Sequence, residues 1–205
     1  MLRKTLTALA TLAVIGACAS PVAAVPQAEV AAESPAAEAK GSAIADFSFG
    51  PLADLAGTRW RGEPGEADKE HGQPADYSEW YWDLGGTVLV NRHVLEDGSY
   101  GGVTYIQQSR KSGVLDYVYI TSAGFRTLGQ FTLHEDGSWT AEEDVQGIVH
   151  ILKVRSRGSI GEDGVMTSVS EFLSDTDGWG GGHTFYYTRT DEPLPELVPT
   201  GTMPE

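Results

Sequence analysis

Residues 87–121 read TVLVNRHVLEDGSYGGVTYIQQSRKSGVLDYVYIT, and the punctuation of this stretch decides the fold. Three runs rich in Val, Ile, Leu, Thr and Tyr are divided by Asp97-Gly98 and by Lys111-Ser112-Gly113. β-Branched and aromatic side chains fit a pleated, half-buried surface. Asp-Gly and other Gly-containing breaks between such runs signal hairpins, because those residues accept the backbone angles of a tight reversal. The rhythm continues on both sides, with turn signals at Gly85-Gly86, Gly124, Asp136-Gly137, Gly147, Asp163-Gly164 and Asp177-Gly178. The runs "FRTLGQFTLH", "IVHILKVRS", "VMTSVSEFL" and "HTFYYTRT" lie between them, and "TRWRG", "ADYSEWYWDL" and "SWTAEEDV" complete about ten strands. No stretch after Gly57 keeps a helical period for three turns. The expected class is all-β: an up-and-down antiparallel barrel of about ten strands. Closure removes exposed sheet edges, and a barrel of this size has room for one small ligand. A β-sandwich is the runner-up, but it needs longer cross-over connections.

The flanks differ in kind. All five Trp, eight Tyr and six Phe of the 205 residues fall between Phe47 and Tyr187. The chain opens MLRKTLTALATLAVIGAC: a basic start at Arg3 and Lys4, then 12 uncharged residues from Leu6 to Ala17. That run is too short to span a bilayer as a helix and suits the apolar core of a secretory signal. Ala17-Cys18-Ala19 or Val22-Ala23-Ala24 would serve an ordinary signal peptidase. Ile15-Gly16-Ala17-Cys18 resembles a bacterial lipobox, and Cys18 is the only cysteine in the chain. The resemblance implies lipidation of Cys18 after removal of residues 1–17. More than one acyl chain gives stable anchoring, and Ala19 in place of an acid after the cysteine resembles the outer-membrane sorting pattern. The expected address is the cell envelope, as an outer-membrane lipoprotein facing the periplasm. Residues 18–46 are rich in Ala, Pro and Glu without hydrophobic period and read as a disordered tether. A flexible chain of that length spans on the order of 30 Å. Residues 191–205 hold four prolines and read as a second loose tail. The expected barrel occupies 47–190.

The opening of that domain, Phe49 to Glu63, reads FGPLADLAGTRWRGE. A short helical turn in "PLADLAG" followed by Gly57, Trp60 and Gly62 resembles the start of lipocalin-like (calycin) barrels. There a Gly and a Trp on the first strand close one end. The phrasing is also similar to nitrobindin-like barrels and to uncharacterised bacterial lipocalin-like lipoproteins. The spacing here is Gly57-x-x-Trp60, against Gly-x-Trp in lipocalins. The resemblance implies a barrel with a short helical turn before strand 1, and Trp60 as its plug. Nitrobindins bind haem through a histidine, which makes haem the alternative to the expectation of no cofactor. Their ligand motif is not matched residue by residue in this sequence.

Composition narrows the partners. The chain has 14 Lys and Arg against 29 Asp and Glu, a net charge of −15. This balance argues against nucleic acid as a partner, since phosphate binding needs clustered basic residues. The histidines show no paired metal spacing, and Cys18 belongs to the anchor. No Gly-x-Ser-x-Gly elbow appears, and "GWGGG" leads into a strand and not into a helix that could receive phosphate. Glu142-Glu143-Asp144 reads as a solvated strand face.

Candidate ligand-binding residues come from strand alternation. Trp80 and Trp82 share a face, which suits a ligand lumen or a packed core alike. Tyr117 lies in "VLDYVYIT". His150 alternates with Ile148, Leu152 and Val154, an inward position, although a lone histidine on an apolar face is commonly hydrogen-bonded structure. His183, Phe185, Tyr187 and Arg189 share a face of the last strand. Tyr187 and Arg189 resemble, in reversed order, the carboxylate-binding pair of fatty-acid-binding proteins; a guanidinium and a phenol make a carboxylate clamp. Arg189 near a strand end could equally meet Asp191 or water. No catalytic residue is singled out. The expected function is binding or shielding a small apolar or amphipathic molecule at the membrane. The alternatives are an enzyme using His150, His183, Tyr187 and Arg189, or a filled structural barrel.

Overall fold

The structure is a computed structural model that describes residues 48–198, Ser112 excepted. The signal segment, Cys18, the tether and residues 199–205 lie outside the described residues. Eleven strands follow one another: β1 Thr58–Pro64, β2 Asp76–Asp83, β3 Val88–Leu95, β4 Gly101–Gln108, β5 Val114–Thr121, β6 Arg126–Leu133, β7 Trp139–Gln146, β8 Ile151–Ile160, β9 Met166–Ser174, β10 Gly178–Gly180 and β11 Thr184–Arg189. A short 3-10 turn, Gly50–Leu55, precedes β1, and one helix, α1 Glu66–Glu70, lies between β1 and β2.

Each strand from β1 to β9 pairs antiparallel with the next, β9 pairs with β11, and β11 returns to β1. Ten strands therefore close a barrel of the expected class, with β10 as one extra strand. The edge of β9 is shared end to end: Thr184–Tyr187 of β11 pair with one half and β10 with the other.

Local chemistry fixes the reversals. The tetrapeptide Glu-Asp-Gly-Ser occurs twice, at 96–99 and 135–138, and folds the same way both times. Asp97 Oδ1 accepts from the Ser99 amide at 3.0 Å, and Asp136 Oδ1 from the Ser138 amide at 2.9 Å. Gly98 and Gly137 supply φ near +71° and +80°, which L side chains rarely adopt. One expected strand starts late. Residues 148–150 of "IVHILKVRS" form the β7–β8 connection, because Gly147 and His150 both take positive φ, and β8 begins at Ile151.

Alternation then sorts the faces. The end where β1 starts is filled by Leu52, Leu55, Trp60, Leu89, Ile106 and Leu115, all no more than 1% exposed. Burying each such side chain contributes about 1.5–3 kcal/mol. Trp60 caps this end as the barrel plug, its indole N–H donating to Thr58 at 2.7 Å. Four strand glycines make room for inward rings on neighbouring strands: Gly62 under Tyr187, Gly102 under Tyr119, Gly129 under Tyr117 and Gly158 under Trp139. A Cβ at any of them would press into the ring, so glycine lets these aromatics lie flat across the lumen.

Candidate functional site

Between the plugged end and the loops at the other end lies a cavity of about 550 Å³. Leu52 and Trp80 line it toward the plug; Gln73, Phe125 and His183 line it toward the far end. Ten Phe, Tyr and Trp side chains make up much of its wall, Ser, Thr, Asn and Gln fill many of the gaps, and no Lys or Arg lines it. The volume lies within the usual range for small-molecule sites. On the opposite face of β7 and β8 runs a groove of about 920 Å³. There Lys153 meets Glu142 at 2.6 Å and Arg155 meets Glu171 at 2.7 Å. These exposed pairs satisfy one another, and the groove lacks the aromatic walls of the lumen.

A hydrogen-bond chain crosses the lumen over four strands. The Tyr187 hydroxyl donates to Asp76 Oδ2 at 2.8 Å, and His93 Nδ1 lies 2.8 Å from Asp76 Oδ1. His93 Nε2 is 2.7 Å from the Tyr119 hydroxyl, which is 2.6 Å from that of Tyr100. With Asp76 accepting at Oδ1, His93 Nδ1 is the donor of that pair, and Nε2 and the Tyr119 hydroxyl share the next hydrogen. Burial, reinforced by Tyr100 for Tyr119 and by Asp76 for Tyr187, pushes both phenols well above their ordinary range. They remain protonated donors.

A second acidic group stands on β7. Glu143 points inward, contrary to the solvated face expected for "EED": Glu142 and Asp144 face out to Lys153, and period-two alternation turns Glu143 into the barrel. Thr127 donates to it. Burial raises the Glu143 carboxyl, against the opposing hydrogen bonds from Thr127 and Tyr117. Burial and the nearby Glu143 likewise raise the Tyr117 phenol. At the far end His183 Nδ1 is 3.0 Å from Asp68 Oδ1, and the Thr184 amide donates to Asp68 Oδ2 at 2.9 Å. Burial pushes Asp68 up, but the Thr184 amide and His183 outweigh it and hold the carboxyl below its ordinary value.

The sequence-predicted residues divide accordingly. Trp80, Tyr117, His183 and Tyr187 line the cavity together. Tyr117 packs on Phe131 at 4.4 Å between ring centroids. The Trp80 Nε1 is buried with no hydrogen-bond partner among the described residues. Trp82 is 38% exposed and meets Phe49 edge-on at 4.8 Å. His150 lies outside the lumen, exposed in a left-handed backbone conformation, with Nδ1 3.1 Å from Asp175. Arg189 shares the inward face of Tyr187 but sits at the strand end, its guanidinium 5.1 Å from the Trp60 ring centroid. The two do not form a clamp, since the Tyr187 hydroxyl is on Asp76. Asp76, His93, Tyr119, Tyr100 and Glu143 escaped the sequence reading. The available signal was alternation: Asp76 and Ser78 share a face with Trp80, and Glu143 opposes its two acidic neighbours.

Of the two lumen histidines, His93 has both ring nitrogens engaged, while His183 is held through Nδ1 on Asp68; no Lys or Arg lines the cavity to receive the carboxylates haem carries. Among the described residues no group of three or more His, Cys, Asp or Glu is placed to hold a metal ion. No known protein-family profile matches this chain, and no curated protein matches it in sequence.

Proposed function

We propose that this protein is a membrane-anchored envelope lipoprotein whose barrel binds or shields a small apolar or amphipathic molecule. The observation that carries the binding half is the aromatic cavity of about 550 Å³, plugged at one end by Trp60 and its neighbours. A barrel serving only as a scaffold would fill that space with side chains, as the small barrels do. Ligand sites combine such apolar walls with a few placed polar groups, here the Asp76–His93–Tyr119 chain and Glu143. The anchoring half rests on the lipobox-like Ile15-Gly16-Ala17-Cys18 and its basic, apolar leader.

Native mass spectrometry of the purified protein tests the binding half: a co-purified small molecule at one per chain supports it, and an empty barrel across several preparations overturns it. Changing Cys18→Ser tests the anchor. The variant should leave the membrane fraction, and continued partitioning there would sink the lipidation reading.

The enzyme reading has two observations in its favour, the 2.8 Å Asp76–His93 contact inside the cavity and the 3.0 Å Asp68–His183 contact at its far end. An acid orienting an imidazole is the arrangement of a general base. Here the nitrogen that would act on substrate is bonded to Tyr119 at 2.7 Å. Turnover at His93 would require that bond to open, and the His183 side chain is 42% exposed at the far end, so binding is the better account.

A further inference from the structure

The charge arrangement of the lumen specifies more than a fold of this kind would. The cavity residues include two carboxylates, Asp76 and Glu143, two imidazoles, His93 and His183, and no Lys or Arg. The basic side chains have been placed elsewhere. Arg61 bonds to Tyr77 and Glu96, Arg59 faces Glu79 at 3.5 Å, and Arg155 bonds to Glu171. Arg189 lies over Trp60. Each lumen carboxylate is held by protein donors, Tyr187 and His93 on Asp76, Thr127 and Tyr117 on Glu143. An ionised carboxylate has about four acceptor sites, so both retain capacity for a further donor, and a cation seated beside Glu143 favours its ionised form against the burial that raises it. Around them stand ring faces, among them Trp80, Tyr117, Phe131, Trp139 and Phe185. Aromatic faces attract cations, more strongly when desolvated.

We infer that the ligand is an organic cation: an apolar or aromatic body bearing an amine, seated with its nitrogen near Asp76 or Glu143 and its body against the rings. This rests on the binding role proposed above and assigns its ligand class. An anionic amphiphile, such as a fatty acid, would place a carboxylate against two carboxylates with no guanidinium or ammonium to receive it. Like charges at short range disfavour it strongly. The overall charge of −15 also favours arrival of cations.

The test uses three probes with one body: naphthylmethylamine, naphthylmethanol and naphthoate, titrated calorimetrically into the purified full chain. The amine should bind at one per chain, on the order of tenfold more tightly than the alcohol, with naphthoate weakest. Glu143→Gln should remove most of the amine's advantage and leave the alcohol within about twofold, which also reports that the cavity is intact. Asp76→Asn is the second variant, for the case in which Glu143→Gln does not fold. Naphthoate binding as tightly as the amine, or an amine no better than the alcohol, overturns the inference while leaving the binding role standing. If none of the three binds, the co-purified molecule in native mass spectra decides. A cation supports the inference, a neutral or anionic ligand overturns it, and an empty barrel overturns the binding role with it.

Discussion

Asp76 takes two hydrogen bonds, from Tyr187 and His93, with its side chain 6% exposed. Removing the carboxylate would leave two buried donors without an acceptor, the expensive direction in which to break a hydrogen bond. Asp76→Ala should therefore cost about 2–4 kcal/mol in urea unfolding, and Asp76→Asn clearly less, since an amide oxygen still accepts. Glu143 predicts a pH effect. Burial raises its carboxyl in the folded state above the ordinary 4.5. Between 4.5 and the raised folded value, the native state holds a proton that the unfolded chain has released. Stability from this group is then present at low pH and is lost as pH rises through that window. Glu143→Gln should flatten this part of the stability profile, and urea midpoints of both proteins across the window measure the difference. Both acids were within reach of alternation from the sequence. What the sequence lacked was the register that sets Asp76 beside His93 and Tyr187, since one slip reverses every face.

Strands and turns were the most legible elements, because Asp-Gly and Gly-Gly have one dominant use between β-rich runs. The two Glu-Asp-Gly-Ser reversals fold as that chemistry requires. His150 shows the limit. Its alternation with Leu152 and Val154 is real, but Gly147 ends the previous strand and the connection runs through His150 with φ +74° before β8 begins. Periodicity across a turn says nothing about facing. Glycines inside strands carry a message that was not read at all, for Gly158 and Gly129 mark where Trp139 and Tyr117 lie across the lumen. Gly158→Ala would set a methyl into the Trp139 ring and should destabilise by about 1–3 kcal/mol. Gly180→Ala has nothing within 4 Å of the new methyl and ordinary backbone angles, and should stay within about 0.5 kcal/mol. Paired denaturant melts of the two variants check that the ring, and not glycine content, is responsible.

At the level of the whole molecule, the barrel depends on one long-range seam. Trp60 pairs with Arg189 and Gly62 with Tyr187, joining the first strand to the last. Residues 191–198, part of the expected loose tail, continue past that seam: the Tyr77 hydroxyl donates to Glu192 at 2.8 Å, and the Val198 amide donates to the Gly98 carbonyl at 2.9 Å. Deleting residues 184–198 would open one edge of β1 and of half of β9 and would remove Tyr187 from Asp76. The truncated chain should associate through its open edges and lose its cooperative melt; size-exclusion chromatography and thermal circular dichroism read both. A soluble monomer with a sharp transition would show that closure is dispensable. The seam also sets a timetable. Hairpins β1 to β9 join neighbours in sequence and can form as the chain emerges, but the ring cannot shut until Arg189 has appeared, some 130 residues after Trp60. During synthesis, or during any N-terminus-first passage through a translocation pore, the protein is therefore held short of its native state until its last strand arrives. Closure is the last event, and the topology alone sets its place in the order.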